Sequence, residues 1–498
     1  MDDRTDHPLE ESVPAAGTTA GPQIGKDEWV ARISERRTGR GGWLGKVDER
    51  ARAVPWWAWL TLFVALAAML PVGFESGYVR RIAFDTVVFM LLALGLNVVV
   101  GWGGLLDLGY VAFFGVGAYT YAVVSSEKFD LHVSALVSIP LALVVGGIVG
   151  LLVGLPSRRL VGDYLAIVTL FFFQIFLTVT NNGESIFGKD LTGGPNGIIN
   201  VDPLNVFGRE LPVSRDGIFN VAYLYVALAL FIVVYVALRF ANDSRTGRAW
   251  RSLREDPLAA ELMGMPVQWL KLTAFAFGAA VAGLTGALVT GLNTSVFPQT
   301  FEFPLLITIY TMVILGGAGS QAGVVIGAIA ISVVLEVLRE PGDARYLFYA
   351  VAILSIFAAL RISRRLAAVV GGTLVLGFVA HAVAESIDAS WTAGAPNGGG
   401  RVAGWASDWV IVPADLAGWL GPVAYITLIV LILSLTLLRG SLRLALLVPT
   451  LYLAAFVWEN VMITKPEPTR FVILGAILVA VMIARPEGIL GEKRVEIV

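Results

Sequence analysis

Stretches of about 20 mostly apolar residues recur from Trp56 almost to the C-terminus, and no other feature of the chain restricts its fold so strongly. A bilayer core about 30 Å thick is crossed by a helix of that length. About fourteen such segments can be marked, several short or interrupted by glycine: 56–72, 82–101, 109–124, 132–155, 164–180, 219–240, 270–292, 303–316, 322–338, 346–360, 366–384, 419–438, 444–462 and 471–484. They read as helices, because every backbone amide in lipid needs an internal partner and the period-two alternation of a barrel strand is missing. The fold class is therefore all-α, a polytopic transmembrane helical bundle. With 56% hydrophobic and 15% charged residues, and a mean hydropathy of +0.76, lipid is the solvent for most of the chain.

Residues 1–53 are polar, rich in Gly, Asp, Glu and Arg, and have too few large apolar side chains to offset their chain entropy. They read as a disordered cytoplasmic tail. Basic residues mark the cytoplasmic side of a membrane protein, and Arg32, Arg36, Arg37, Arg40, Lys46, Arg50 and Arg52 precede the first segment. Alternation then puts Arg158 and Arg159, the 239–254 stretch, Arg361, Arg364 and Arg365, Arg439 and Arg443, and the 485–494 tail on that same side, with both termini cytoplasmic. Arg80 and Arg81 break the rule: either the pair is tolerated outside or the first two segments are misread. A net charge of −2 gives no ground for expecting nucleic acid.

Cysteine is absent, which removes disulfides, thiolate metal sites and cysteine nucleophiles. His7, His132 and His381 are too scattered to form a metal site. No clustered acid, base or nucleophile suggests an enzyme. GESIFGKD at 183–190 imitates a phosphate-binding loop up to its lysine, but Asp190 replaces the hydroxyl that would hold magnesium, and no strand precedes it. No cofactor is expected in this chain.

Two large loops fall on the predicted outer face, 181–220 with turn signals such as GGPNG, and 388–417, rich in Gly and Trp. On the predicted inner face lies RTGRAWRSLREDPLAAELMGMPVQWLKL, from Arg245 to Leu272. Its charges cluster at one end, while Leu258, Ala259, Ala260, Leu262 and Met263 offer a small apolar surface. Small residues permit close approach and Gly264 can turn the chain between two helices, so the segment suits a groove on a soluble partner. An ordinary basic cytoplasmic loop is the plainer alternative.

The spacing of Ala259, Ala260 and Gly264 resembles the EAA loop of ATP-binding-cassette importer permeases, and GRAWRSLREDPLAAELMG is similar to the form found in LivM-type branched-chain amino acid permeases. Leu258 stands where the name-giving glutamate would be, although Arg254 is followed by Glu255, and Glu261 lies within a turn. LGLNVVVGWGGLLDLGYVAFFGVGAYTYAV at 94–123 resembles the family's first block, with Asp107 where a small polar residue is usual. PSRRLVGDYLAIVTLFFFQIFLTVTNN at 156–182 and LTGGPNGI at 191–198 resemble its central block, with Gln174 where glutamate is common. ILGGAGSQAGVVIGA at 314–328 and RPEGILG at 485–491 resemble its later blocks, in order.

The resemblance implies a permease subunit, multi-pass in the cytoplasmic membrane of a prokaryote, that moves branched-chain or related amino acids. It implies four kinds of partner besides lipid: a LivH-like second permease, two LivG- and LivF-like ATP-binding subunits that use ATP and Mg, and an extracytoplasmic binding protein. Arg254, Glu255, Ala259, Ala260, Glu261 and Gly264 would form the loop that couples to the ATPases. A permease for urea or short amides and a stand-alone ion-coupled transporter are the rival readings. The core covers 54–361; the closing motif arrives only after an inserted region, 362–468, read as peripheral, so that 469–498 is a final helix and cytoplasmic tail.

Glycine clusters at 101–117 and again at 316–323, with the same in-out sense, hint at a weak internal repeat. Close helix packing is the default meaning of each cluster, and a broken helix lining a cavity is the other. Polar side chains at membrane depth are costly and face a bundle interior; Asp85, Asn97, Asp107, Gln174, Glu336 and Glu459 are the candidates. A few polar groups along an apolar path suffice for a zwitterion, and Asn97, Asp107 and Gln174, lying in the family blocks, are assigned to it, with satisfied interhelical hydrogen bonds as the alternative.

Overall fold

The computed structural model describes residues 54–491 apart from 74–75, 158–162, 186–189, 207–208, 213, 216–217, 361–363, 395–400, 439 and 485–486. The tail at 1–53, Arg158 and Arg159, Arg361, Arg439, and Arg485 with the residues after 491 lie outside these. The chain falls into two compact units, Met1–Ala67 and Ala68–Val498. Of the first unit, residues 54–67 are described, and from Trp56 they form the start of the opening helix α1, Trp56–Gly73.

Among the described residues each of the fourteen apolar segments is helical, and the rest of the regular structure is short. Beyond α1 the helices are α2, Gly77–Leu96; α3, Tyr110–Val124; α4, Ala135–Ser157; α5, Asp163–Asn181; α6, Val221–Asp243; α7, Arg245–Glu255; α8, Pro257–Leu262; and α9, Val267–Asn293. They continue as α10, Phe303–Gly316; α11, Gln321–Val337; α12, Pro341–Leu360; α13, Arg364–Ile387; α14, Arg401–Trp409; α15, Leu420–Leu437; α16, Ser441–Val457; and α17, Pro466–Ala484. Eight helices among the described residues are long and apolar enough to cross a bilayer, and four further apolar helices are shorter. The chain is a multi-pass membrane protein of all-α class.

Helix α9 is the axis on which α2, α3 and α4 pack. Its small residues make that approach possible: a Cβ at Gly117 or Gly146 would strike the α9 backbone at Gly283 or Ala279, and one at Gly283 would strike Ala142. Around this centre, α4 and α5 turn rows of Leu, Ile and Phe outward, as lipid or a protein neighbour requires.

The first glycine cluster does more than pack. Helix α2 loosens into a π-turn at Asn97–Trp102, and residues 103–109 then run non-helically to α3, with Gly104 at φ 65°. At 15 residues, α3 is about 22 Å long and cannot span the apolar core unaided. The stretch before it is mostly buried, with Gly104 and Leu106 exposed, and non-helical backbone of this kind is tolerated within a membrane protein where protein surrounds it. In the second cluster α10 and α11 join through the tight turn at Gly317–Ser320, with Gly317 at φ 108° and Gly319 at φ 99°.

Arg80 and Arg81 lie at the opposite end of the bundle from these turns, held by local partners. Arg81 pairs with Asp85 at 3.1 Å, donates to Asn293 Oδ1 and sits over the rings of Phe84 and Phe219, while Arg80 donates to the Pro71 carbonyl. Of the inserted region, α13 and α15 each pack on α16, and the region is tied to α12 by a buried ion pair. Arg345 and Glu459, each about 1% exposed, meet at 2.9 Å, Tyr349 adds a hydroxyl donor to Glu459, and Phe348 stacks on Trp458 at 4.5 Å. The final helix α17 returns to α10.

Candidate functional site

The segment between α6 and α9 is built as two short helices at one end of the bundle. Ser244 opens α7 by accepting from the Gly247 amide. The amphipathic pattern of RTGRAWRSLRE buries Trp250 and Leu253 and leaves Glu255 exposed. Trp250 donates to the Leu270 carbonyl at 2.9 Å and stacks on Trp102, with ring centres 6.2 Å apart. Asp256 then caps α8 by accepting from the amides of Leu258 and Ala259. Pro257 at the first helical position needs no such partner.

Gly264, at φ 78°, turns the chain toward α9. The Gly264 amide donates to Glu261 and the Met265 amide to Ala260. Ala260 is buried beneath α8, whereas Ala259, Glu261 and Gly264 face outward. Leu262 and Met263 are both 81% exposed, and Leu258 and Trp269 stand beside them in the open. An apolar patch flanked by Glu255 and Glu261 is thus mounted on a segment anchored by Trp250.

Arg254 connects this segment to both glycine clusters. Its guanidinium Nη1 donates to the Gly101 carbonyl at 2.6 Å and to the Ala318 carbonyl at 3.3 Å. The backbone of Arg254 crosses so close to Gly104 that a Cβ there would sit 3.0 Å from the Arg254 Cα. Trp102 donates through Nε1 to the Gly319 carbonyl at 2.9 Å, and the Gly319 amide donates to Asn97 Oδ1 at 2.8 Å. The segment after α17 reaches the same place, where the amides of Ile489 and Leu490 donate to the carbonyls of Leu315 and Gly316. Helix α7 is thus hydrogen-bonded to both the break after α2 and the α10–α11 turn.

The three residues assigned to a substrate path differ in their surroundings. Asn97 is fully buried and spends its carbonyl oxygen on the Gly319 amide, a tie between the two turns. Asp107 is also fully buried and opens α3 by accepting from the Gly109 amide at 2.9 Å. Tyr310 bonds both the backbone amide and carbonyl of Asp107, a pairing across 203 residues that no local pattern announces. Gln174 is on an exposed face of α5. Asp190, in the stretch that imitates a phosphate loop, pairs with Lys128 at 2.8 Å and accepts from the Gly193 amide, and helix α5 rather than a strand precedes it. Among the described residues no group of His, Asp and Glu could hold a metal ion.

Comparisons with known proteins agree with this architecture. A family profile described as the branched-chain amino acid transport system / permease component matches residues 78–360. The chain is 37% identical over 299 residues to the high-affinity branched-chain amino acid transport system permease protein LivM of Salmonella typhimurium and of Escherichia coli, covering 56% of this chain and 68% of each relative. It is 24% identical over 254 residues to the permease protein LivH of the same Escherichia coli system, covering 49% of this chain and 80% of that one. No solved structure matches it. A profile that spans more than half of the chain, and LivM relatives at this identity, place it in a family: the chain belongs to the branched-chain amino acid transport permeases, in their LivM-type branch.

Proposed function

We propose that this chain is the permease subunit of an ATP-binding-cassette importer for branched-chain or closely related amino acids, with the segment Arg245–Leu262 as the element on which separate ATPases pull. The observation that carries the reading is the linkage through Arg254: an exposed apolar patch on α8 continues into a helix whose arginine holds the Gly101 and Ala318 carbonyls. A partner that displaces the patch would move both membrane turns. In this reading the end of the bundle bearing α7 and α8 is cytoplasmic, and the termini lie on that side. A LivH-like permease completes the translocation unit, since the family contains both kinds of subunit. Two ATP-binding subunits supply ATP and Mg chemistry, and a binding protein docks on the opposite end. The transport cycle then alternates outward and inward openings through the differential affinity of the two states for nucleotide. Gln174, exposed on α5, fits a path between two permease subunits, whereas Asn97 and Asp107 support the inner lining.

The absence of cysteine permits a direct test. A single Leu262→Cys, in the assembled importer within oriented vesicles, should react with a membrane-impermeant thiol reagent from the cytoplasmic face, and the ATPase subunits should block the reaction. Labelling from the outside would overturn the assignment. Uptake should require ATP; amino acid uptake by this chain alone, driven by an ion gradient, would support a secondary transporter instead.

A further inference from the structure

At the end of the bundle opposite Arg254, helices α2, α3, α9, α10 and α11 line a half-open cavity of about 280 Å³. Phe89, Leu92, Phe114 and Leu335 form apolar walls, and Asp85, Thr86, Ser332 and Glu336 supply the polar groups. The size is close to the lower bound of small-molecule pockets, about 300 Å³, and far above the roughly 30 Å³ share of a single water. Two acids facing an apolar cavity at membrane depth call for a ligand or for compensation. Compensation is present outside: Asp85 holds Arg81 at 3.1 Å, and Glu336 holds Arg339 at 3.6 Å and accepts from the Tyr78 hydroxyl. The cluster is therefore neutral overall, with acids toward the cavity and guanidiniums beside them. Ser332 is not compensated: it is 7% exposed, lines the cavity, and its hydroxyl has no hydrogen-bond partner. An orphaned buried hydroxyl beside a neutral pair of ion pairs is suited to a small dipolar molecule with an apolar body.

We infer that this cavity binds one zwitterionic amino acid, its ammonium group between Asp85 and Glu336, its carboxylate accepting from the Ser332 hydroxyl, and its side chain against Phe89, Leu92 and Phe114. The site is a station inside the permease itself, separate from the segment that meets the ATPases. A neutral cluster attracts a zwitterion without the tight hold of a single fixed charge, which allows release. This inference rests on the proposed transport of amino acids and adds where in the chain they bind.

The test uses the full chain, cysteine-free apart from Val289→Cys, in nanodiscs, with the labelling rate of that thiol as the readout; Leu305→Cys on another lining position is the second variant. L-leucine should slow labelling saturably, and Asp85→Asn or Glu336→Gln should weaken that protection by about tenfold or more, the loss of one charged hydrogen bond. A hexose should not protect. Labelling insensitive to leucine, labelling blocked by lipid content alone, or thiols at both positions closed to the reagent would each overturn the inference. Should the assembled importer still take up leucine with ATP while neither thiol is protected, the cavity assignment fails and the transport reading stands. Protection by the hexose in place of leucine would count against both.

Discussion

Arg254 and Gly101 are 153 residues apart in the chain and joined by a 2.6 Å hydrogen bond from guanidinium to carbonyl. A charge-assisted bond to an otherwise unused carbonyl at a helix break is strong and directional, contributing about 1.5–3 kcal/mol. Arg254→Gln should therefore lower ATP-driven uptake and transport-stimulated ATP hydrolysis by about tenfold or more, with the amount of protein in the membrane unchanged. Arg254→Lys should restore part of the loss, because one ammonium serves a carbonyl but lacks the planar fork. Equal activity for all three would mean that the bond transmits nothing.

Gly264 has open space around it, since a Cβ there would meet nothing within 4 Å, yet its φ is 78°. Substitution cost thus arises from the backbone, about 1–2 kcal/mol for a residue that resists the left-handed region. Gly264→Val or Gly264→Trp should reduce uptake and stimulated hydrolysis while membrane insertion persists, and Gly264→Asn, which tolerates that region, should be much milder. Measuring both activities in vesicles checks this; unaltered coupling in the valine variant would remove the turn from the mechanism.

The fold was legible in the sequence to the degree that local pattern decides it. Apolar length marks the fourteen helices, and a glycine after a short helix marks the turn at Gly264. Hydropathy does not say which way a side chain faces, so Gln174 and Asn97 look alike as polar residues in apolar runs although one is exposed and the other fully buried. Nor does it supply distant partners. The stacking of Trp102 on Trp250, the Tyr310 bonds to Asp107 and the Arg345–Glu459 pair all join segments far apart in the chain. Each is set by packing around α9 or by the return of the inserted region, and no periodicity encodes either. Glycine clusters posed a further ambiguity, because the same residue permits close approach at Gly117 and positive φ at Gly104.

The pair Arg345 and Glu459 makes a stability prediction. With both side chains about 1% exposed, removing one breaks a buried charge pair, which costs about 3–5 kcal/mol, whereas replacing both with apolar residues is near neutral or better. Glu459→Met should lower the thermal unfolding midpoint of the detergent-solubilised protein clearly, Arg345→Met likewise, and the double variant should recover most of the loss. The recovery is the informative part. If the double variant were as unstable as the sum of the singles, the two residues would be acting independently and the inserted region would be held to α12 by packing, such as Phe348 on Trp458, alone.

Two ion pairs in the loops at the end opposite Arg254 give opposite pH dependences. His132 Nδ1 lies 2.8 Å from Asp202 Oδ2, and this hydrogen bond, with the carboxylate's charge, raises the imidazole pKa. A raised value means that the pair contributes fully below the ordinary histidine pKa, about 6.5, and is lost as pH climbs through the folded value. Asp190 is the reverse: its hydrogen bond to Lys128 lowers the carboxyl pKa, so that pair contributes fully above about 3.9 and is lost as pH falls through the lowered value. Both contribute in full only between about pH 4 and 6.5. The Ser125–Ser126 and Leu131–His132 ribbon and the 190–202 stretch they fasten should therefore show greatest protection from hydrogen exchange in that window. Asp202→Asn should abolish the decline on the alkaline side alone, and Lys128→Gln the decline on the acid side alone. Both pairs are exposed to solvent, so raised salt should flatten the two slopes. A protection profile independent of pH, or one in which either variant erased both slopes, would show that the loops are held by their backbone bonds, such as Asp202 to Ser125 at 2.7 Å, and not by these charges.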